Sequence, residues 1–185
     1  ATIGGHIKIA ELLMDKGADI NEKDNEGWTA LIWASQKGNK EMAEFLLDNG
    51  ADISAKNKNG DTVLTNAARN GDADMIKMLL KKGAVVDSAF KNAKLLNASE
   101  KGKLPEVQAA LAEGANVNAK DKNGRTPLMY AAEKGNPDVV KLLLDKGADV
   151  HAKMTSDGID YTALRIAKKH NRTNIAEMLV QAGAN

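Results

Sequence analysis

The feature that most constrains this sequence is a glycine that returns at nearly constant spacing along its whole length. Each of these glycines ends an apolar stretch, and the gaps between them are 33, 33, 31, 33 and 36 residues. The glycines are Gly17, Gly50, Gly83, Gly114, Gly147 and Gly183. A chain with such a period is expected to fold as stacked small units, each covered by its neighbours, rather than around one central interior.

The most complete unit reads DKNGRTPLMYAAEKGNPDVVKLLLDKGADV, which predicts turn, helix, turn, helix and turn. Thr126 is a suitable N-cap because its hydroxyl accepts an unpaired backbone N–H, and Pro127 loses no hydrogen bond at the first helical position. Gly135 predicts the end of this helix, since glycine takes the left-handed conformation at little cost. Asn136 and Pro137 predict a second cap and a second helix, which is too apolar to be stable alone.

Two further columns repeat with the closing glycine. The residue twelve positions earlier is expected to end the first helix of each unit, and these residues are Gly5, Gly38, Gly71, Gly102, Gly135 and Asn171. Four positions before that residue, every unit has an alanine, namely Ala1, Ala34, Ala67, Ala98, Ala131 and Ala167. We expect these methyl groups to let one inner helix lie close against the next.

These features resemble the ankyrin repeat family, whose period is about 33 residues and whose units carry a T-P-L-H-x-A box. The fullest box here is Thr126-Pro127-Leu128 with Ala131, and weaker boxes begin at Thr29, Thr62 and Thr162. The box histidine is replaced throughout, by Ile32, Thr65, Leu96, Met129 and Arg165. The resemblance covers essentially the whole chain. It implies an all-α fold, an ankyrin-repeat solenoid of helix–turn–helix units joined by short β-hairpin loops.

The expected organisation is one array, residues 1–185, of five to six repeats. Its parts are a partial repeat at 1–23, repeats at 24–56 and 57–89, an irregular repeat at 90–120, a repeat at 121–153 and a C-terminal cap repeat at 154–185. Ala1 aligns with the middle of an inner helix, so we expect a segment upstream of it. The outer helix of the partial repeat should then expose apolar side chains, covered by a neighbouring molecule or frayed. Those side chains are Ile7, Ile9, Leu12 and Leu13.

The irregular repeat lacks two residues and has no glycine for a hairpin turn. Its inner helix is expected from about Asn92 to Lys101 and its outer helix from Glu106 to Ala112. Two interpretations stay open: a degenerate internal repeat with a short loop, or two arrays that meet at a hinge near residues 86–91.

The last repeat has a different character. Three extra residues lengthen the Met154–Tyr161 loop, and Lys168 replaces a small residue that would pack against a following repeat. The small residues at that position are Thr2, Ser35, Ala68, Ser99 and Ala132. The lysine predicts that the array ends with this unit.

The residues that usually carry chemistry are absent or scattered. The chain has no cysteine, and His6, His151 and His170 lie in different repeats without metal-ligand spacing. No motif of a hydrolase, a metalloprotease or a nucleotide-binding site is present. No catalytic residue, metal or cofactor is therefore expected. A net charge of +1 favours neither nucleic acid nor a membrane surface, and no stretch has the roughly 18 apolar residues of a membrane span.

The aromatic residues suggest where a partner docks. Four of the six fall at two repeat positions, with Trp28 and Tyr161 just past the hairpin turn and Trp33 and Tyr130 on the inner helix. The family resemblance implies contacts in three rows along a concave groove. The hairpin row is Trp28, Asp61, Arg125 and Tyr161; the mid-helix row is Trp33, Asn66, Asn97, Tyr130 and Ile166; the helix-end row is Gln36, Arg69, Glu100, Glu133 and Lys169. The alternative for Trp33 and Tyr130 is that they simply pack between inner helices.

The expected function is a protein–protein interaction module, monomeric or associating through its partial N-terminal repeat. The expected contact residues are Trp28, Trp33, Asp61, Asn66, Arg69, Arg125, Tyr130, Glu133 and Tyr161. A regulatory or targeting segment of a larger multidomain protein is the alternative. A structural spacer and a stand-alone enzyme rank below both.

Overall fold

The computed structural model describes residues 4–185, which contain eleven helices and one two-stranded sheet. Ala1 and Thr2, the first members of the alanine and small-residue columns, lie outside the described residues. The chain divides into two compact units, residues 1–90 and 91–185. Each unit consists of helices that pack on one another through apolar faces.

The first unit is a set of paired helices in its described part. Its helices are α1 (Ile7–Asp15), α2 (Ala30–Gln36), α3 (Lys40–Asp48), α4 (Val63–Asn70) and α5 (Ala73–Lys81). The inner helix α2 packs against its own outer helix α3 and against the next inner helix α4, and α3 packs against α5. Leu31, Met42, Leu64, Met75 and Leu79 are buried between them.

Helix α6 (Ser88–Lys101) crosses the boundary between the units. The second unit continues with α7 (Leu104–Ala112), α8 (Pro127–Lys134), α9 (Pro137–Asp145), β1 (Met154–Ser156), β2 (Ile159–Tyr161), α10 (Ala163–Lys169) and α11 (Thr173–Gln181). The inner helix α8 packs against α9 and α10, and the outer helix α9 packs against α7 and α11. One continuous apolar core joins these helices, with Leu128, Leu143 and Leu179 fully buried.

The cap predicted at Thr126 is present, and the threonines that begin the weaker boxes act in the same way. Thr29, Thr62, Thr126 and Thr162 each precede an inner helix in an extended conformation, and each hydroxyl accepts the N–H of the third helical residue. The residue at the box-histidine position adds a second bond in two repeats: the hydroxyls of Thr62 and Thr65 lie 3.1 Å apart, and the Thr126 N–H donates to the Met129 sulfur at 3.5 Å. Each cap is worth about 1 kcal/mol.

The inner helices end at the residues predicted from the sequence, whereas one predicted helix cap is absent. Gly71 and Gly135 have φ of 66° and 82°, and Asn171 takes the same left-handed conformation with φ of 54°. Asn136 was expected to cap the second helix of its unit, and its side chain makes no capping hydrogen bond. Pro137 alone starts that helix, because its ring fixes φ and its missing N–H needs no partner there.

The alanine column lies where inner helices meet. Ala34, Ala67, Ala131 and Ala167 are each 0% exposed, and Ala98 is 4% exposed. The adjacent small residues Ser35, Ala68, Ser99 and Ala132 are buried as well. Ser35 also donates its hydroxyl to the Val63 carbonyl at 2.6 Å, which ties α2 to α4. Lys168, at the equivalent position of the last repeat, is exposed.

The irregular repeat departs from its expected helix boundaries. Its inner helix begins at Ser88 rather than near Asn92, and its outer helix begins at Leu104 rather than Glu106. The Asp87 carboxylate accepts the Phe90 N–H at 2.9 Å, so a cap replaces the missing hairpin turn and the helix starts a turn earlier. The division between the units falls between Phe90 and Lys91, inside the segment for which a hinge was predicted. The hinge itself stays a prediction.

The extended loop of the last repeat forms the only sheet among residues 4–185. Strands β1 and β2 are antiparallel, and Met154 pairs with Tyr161. Asp157 and Gly158 form the turn with φ of 52° and 72°. The three extra residues therefore lengthen the hairpin that precedes α10.

The partial N-terminal repeat exposes apolar side chains on α1, as expected. Ile9, Leu12 and Leu13 are about half exposed, whereas Ala10 is buried. Whether a neighbouring molecule covers this face stays a prediction. No helix within residues 4–185 combines the length and the apolar character needed to cross a lipid bilayer.

Substitution of Ala131 by leucine tests the alanine column. Ala131 is fully buried where α8 meets its neighbours, so three extra carbons should destabilise the fold by about 1–3 kcal/mol. Urea unfolding followed by far-UV circular dichroism measures the change. Ala109→Leu is the matched control, because Ala109 is exposed on α7 and the same substitution there should cost less than about 0.5 kcal/mol. Equal effects of the two substitutions would contradict close packing at the column.

Unfolding probes that report on different units test the hinge interpretation. Both tryptophans, Trp28 and Trp33, lie in the first unit, so their fluorescence reports on that unit alone. Leu143→Ala in the second unit should cost about 2–5 kcal/mol and lower the midpoint seen by circular dichroism, with the tryptophan midpoint unchanged. Leu46→Ala in the first unit is the control and should lower the tryptophan midpoint. Equal shifts of both probes in both variants would favour a single degenerate array.

Candidate partner-binding surface

In three repeats one aspartate or asparagine holds the turn before the inner helix. In the first full repeat, Oδ1 of Asp24 accepts the backbone N–H groups of Glu26 and Trp28, both at 2.9 Å. Oδ1 of Asp121 does the same for Asn123 and Arg125, at 2.8 and 2.9 Å. These two bonds close the turn and fix the residue of the hairpin row that follows it.

The second carboxylate oxygen reaches the middle of the inner helix. The indole Nε1 of Trp33 donates to Oδ2 of Asp24 at 3.0 Å, and the hydroxyl of Tyr130 donates to Oδ2 of Asp121 at 2.7 Å. Each aromatic side chain of the mid-helix row is therefore anchored to its own hairpin. Both rings stay partly exposed and hydrogen-bonded. Whether they contact a partner or only pack between inner helices stays a prediction.

These contacts shift two pKa values. Hydrogen bonding from the Trp28 N–H is the largest cause that holds the pKa of Asp24 below its ordinary value, and the Trp33 indole adds to it. Burial raises the pKa of Tyr130 well above 10, and the hydrogen bond to the Asp121 carboxylate raises it further. The first shift favours the ionised form of Asp24 and the second the protonated form of Tyr130, which are the forms that make these hydrogen bonds.

The anchoring residues escaped the sequence analysis. Asp24, Asn57 and Asp121 each lie four positions before the hairpin-row residue of their repeat. In the second full repeat, Oδ1 of Asn57 accepts the N–H groups of Asn59 and Asp61, both at 2.9 Å. An aspartate or asparagine recurs at this repeat position in the sequence. It was not recognised because the loops contain many other polar residues.

In the first unit, the expected contact residues form two groups. The rings of Trp28 and Trp33 pack with centroids 4.6 Å apart and planes tilted by 31°. In the next repeat, Arg69 pairs with Asp61 at 2.6 Å, with the arginine side chain 35% exposed and the aspartate 8%. The hairpin row thus contacts the mid-helix row in one repeat and the helix-end row in the other.

Two of the expected contact residues are buried, which corrects the sequence analysis. Asn66 is 0% exposed and donates its side-chain amide to the Thr62 carbonyl at 3.0 Å. Asp61 is 6% exposed beneath Arg69. Asn66 therefore supports the start of its helix, and Asp61 holds the more exposed guanidinium of Arg69, instead of contacting a partner directly. Ile166, a member of the mid-helix row, is also buried at 5%.

In the second unit, the expected residues surround two tyrosine rings. Arg125 lies over the Tyr130 ring at 4.4 Å from its centroid and forms an ion pair with Glu133. In the last repeat, Arg165 and Lys169 lie 5.3 and 5.2 Å from the centre of the Tyr161 ring. Each cation–ring contact contributes about 0.5–1 kcal/mol at an exposed site.

Each unit offers rings, charges and hydrogen-bonding groups for recognition. The accessible residues are Trp28, Trp33 and Arg69 in the first unit and Arg125, Tyr130, Glu133 and Tyr161 in the second. Tryptophan, tyrosine and arginine are the residue types that most often dominate protein interfaces. Within residues 4–185, no three acidic or histidine side chains gather closely enough to hold a metal ion.

Alkaline titration tests the anchoring of Tyr130. In a Tyr161→Phe chain Tyr130 is the only tyrosine, and its ionisation, followed by phenolate absorbance, should begin well above pH 10. Because the folded pKa lies above the unfolded value, the stabilisation is complete below about pH 10 and is lost as the pH rises through the folded value. Adding Asp121→Asn should move the ionisation to lower pH. Ionisation near pH 10 in a chain that circular dichroism shows to be folded would contradict the anchor.

Comparison with known proteins places the fold. The family model for ankyrin repeats in three copies matches residues 1–90 and 95–185. The crystal structure of the human ASB11 ankyrin repeat domain superimposes with a TM-score of 0.61 and 27% sequence identity, covering 100% of this chain and 82% of that chain.

Curated relatives match a short stretch. The mouse (Mus musculus) ankyrin repeat and SAM domain-containing protein 6 is 45% identical over 42 residues, which is 22% of this chain and 5% of that protein. The potassium channel AKT1 of Oryza sativa subsp. indica is 42% identical over 41 residues, 22% of this chain and 4% of the channel. The chain thus aligns with a twentieth or less of the length of these relatives. With the family model covering nearly every residue, the chain belongs to the ankyrin repeat family.

Proposed function

We propose that this chain is a protein–protein interaction module in which the inner helices and hairpin tips form a rigid concave surface for a partner protein. Ankyrin repeats are generally protein–protein interaction modules, and the family fold is non-catalytic. The proposal adds which side chains contact the partner and which hydrogen bonds fix those side chains before binding.

The observation that carries the proposal is the anchoring of aromatic side chains by the hairpin aspartates. Asp24 holds Trp33 and Asp121 holds Tyr130, with bonds of 3.0 and 2.7 Å. A ring that is already fixed loses little conformational entropy when a partner covers it. Such pre-organisation favours recognition over a spacer role, for which nothing requires partly exposed rings to be fixed.

The proposed contacts are divided between the two units. The first unit contributes Trp28, Trp33 and Arg69, and the second contributes Arg125, Tyr130, Glu133 and Tyr161. Asp61 and Asn66 act beneath this surface, where Asp61 pairs with Arg69 and Asn66 bonds to the start of α4.

A second candidate function is a regulatory or targeting segment within a larger multidomain protein. It is favoured by the similarity to short stretches of much longer proteins, one of them a potassium channel. Reading the coding sequence upstream of Ala1 distinguishes the candidates. A channel or enzyme domain in the same reading frame would support the segment, whereas a start codon shortly upstream would support an independent module.

Affinity capture from the native cells tests the proposed surface. The partner recovered by the full chain should be recovered at least tenfold less by a Trp28→Ala plus Arg125→Ala variant, because buried tryptophan and arginine contacts cost about 2 kcal/mol or more on truncation. Quantitative mass spectrometry measures recovery.

A matched variant controls for the two substitutions. Lys77→Ala plus Lys141→Ala removes one exposed side chain from an outer helix of each unit and should leave recovery unchanged. Thermal unfolding of both variants checks that they remain folded. Undiminished recovery by a folded Trp28→Ala plus Arg125→Ala chain would reject the proposed contacts.

A further inference from the structure

The inner helix of the last repeat carries a concentration of positive charge. Arg165, Lys168 and Lys169 are all exposed on or beside α10. None of the three forms an ion pair with a carboxylate in the part of the chain that the structure describes. We name Tyr161 with Arg165 and Lys169, which flank its ring, the basic face. Lys168 lines a cavity with Arg172 and Glu177 instead.

The basic face breaks a pattern seen in two other repeats. The hairpin-row and helix-end residues, eight positions apart, form an ion pair in the repeats at 57–89 and 121–153. In the last repeat the same two positions hold Tyr161 and Lys169, so neither position carries an acid and the cation lies against a ring. A ring attracts a cation and leaves its charge uncompensated, and the ammonium group keeps N–H donors for an outside acceptor.

The nearest acid of the hairpin is already engaged. The Asp160 carboxylate accepts the Thr155 hydroxyl at 2.7 Å and pairs with Lys153 at 3.3 Å. Arg165 instead donates to the Asp160 backbone carbonyl at 3.0 Å, a bond that fixes the guanidinium beside the Tyr161 ring. Hydrogen bonds from Thr155 and Lys153 lower the pKa of Asp160 most, and the charge of Arg165 adds to this effect. The arginine is thus held in place without a direct ion pair to a carboxylate.

We propose that the basic face binds an acidic peptide segment of the partner protein, whose carboxylates pair with Arg165 and Lys169 on either side of the Tyr161 ring. This inference rests on the proposed protein-binding function and adds the chemical class of the partner. Arginine suits this role because its planar guanidinium binds a carboxylate through two parallel hydrogen bonds.

A peptide fits the basic face better than a nucleic acid does. Binding of single strands relies on aromatic faces open for base stacking, and the Tyr161 ring is already flanked by two cations. The whole chain also has a net charge of only +1, which provides little long-range attraction for nucleic acid.

Fluorescence anisotropy with the full chain tests the inference. The probes are a labelled oligoglutamate, an oligoglutamine of equal length and a single-stranded oligothymidylate, each at low and at physiological ionic strength. Oligoglutamate should bind, and Arg165→Gln plus Lys169→Gln should weaken it about tenfold through the loss of two charge-assisted contacts. Oligoglutamine should not bind.

The matched control is Lys141→Gln plus Lys146→Gln, which removes the same charge from exposed positions on and beside the outer helix α9. It should change oligoglutamate affinity by less than about twofold, since only long-range screened attraction is lost. Circular dichroism verifies that both double variants are folded. If the Arg165→Gln plus Lys169→Gln chain loses helix, Lys169→Gln alone replaces it, with an expected loss of about threefold.

Three results would overturn the inference. They are no oligoglutamate binding by the unaltered chain, equal weakening in the two double variants, and tighter binding of oligothymidylate than of oligoglutamate. Any of these results can occur while the capture experiment with Trp28 and Arg125 succeeds. In that case the protein-binding function is retained and the proposed acidic peptide is rejected. Failure of that capture experiment alone counts against the wider proposal.

Discussion

Close contact between inner helices at small buried side chains is the interaction on which the rest of this structure depends. A pair of short helices has apolar surface on two sides, and helices of seven to nine residues are too short to be stable by themselves in water. An alanine at 0% exposure in the middle of α2, α4, α8 and α10 lets successive helices approach and cover that surface. A larger side chain in any one of these positions would separate two neighbours and expose the apolar faces of both.

The hairpins use this scaffold to present a surface. Since each inner helix is fixed by its neighbours, a single aspartate at the turn can hold both the loop backbone and an aromatic ring on the helix. Asp24 and Asp121 make the same set of bonds in different repeats, although the rings they hold are tryptophan and tyrosine. The backbone geometry is thus constant while the side chain varies, which is the property required of a module that recognises particular partners.

Local rules made most of the fold predictable from the sequence. Threonine caps, left-handed glycines and the alanine column each depend on a few adjacent residues, and they recur in every full repeat. The predicted start of α6 was wrong because Asp87 caps a helix where the other repeats form a hairpin. A single aspartate after Val85 and Val86 does not identify that role in the sequence. The candidate surface was less predictable still. Asn66 and Asp61 occupy positions of the expected contact rows, but their exposure depends on the size of neighbouring side chains, which repeat alignment does not capture. The hydrogen bonds from Trp33 to Asp24 and from Tyr130 to Asp121 were not predicted, because they join residues nine positions apart across a turn.

The central claim is that each helix pair is stable only between its neighbours. It is tested most directly by far-UV circular dichroism of a peptide of residues 121–153 beside a fragment of residues 91–185. The account predicts that the single repeat is largely unfolded in water, whereas the fragment, which contains α7 to α11 and their common core, is helical and unfolds cooperatively. A single repeat with the helix content and cooperative unfolding of the fragment would contradict the account.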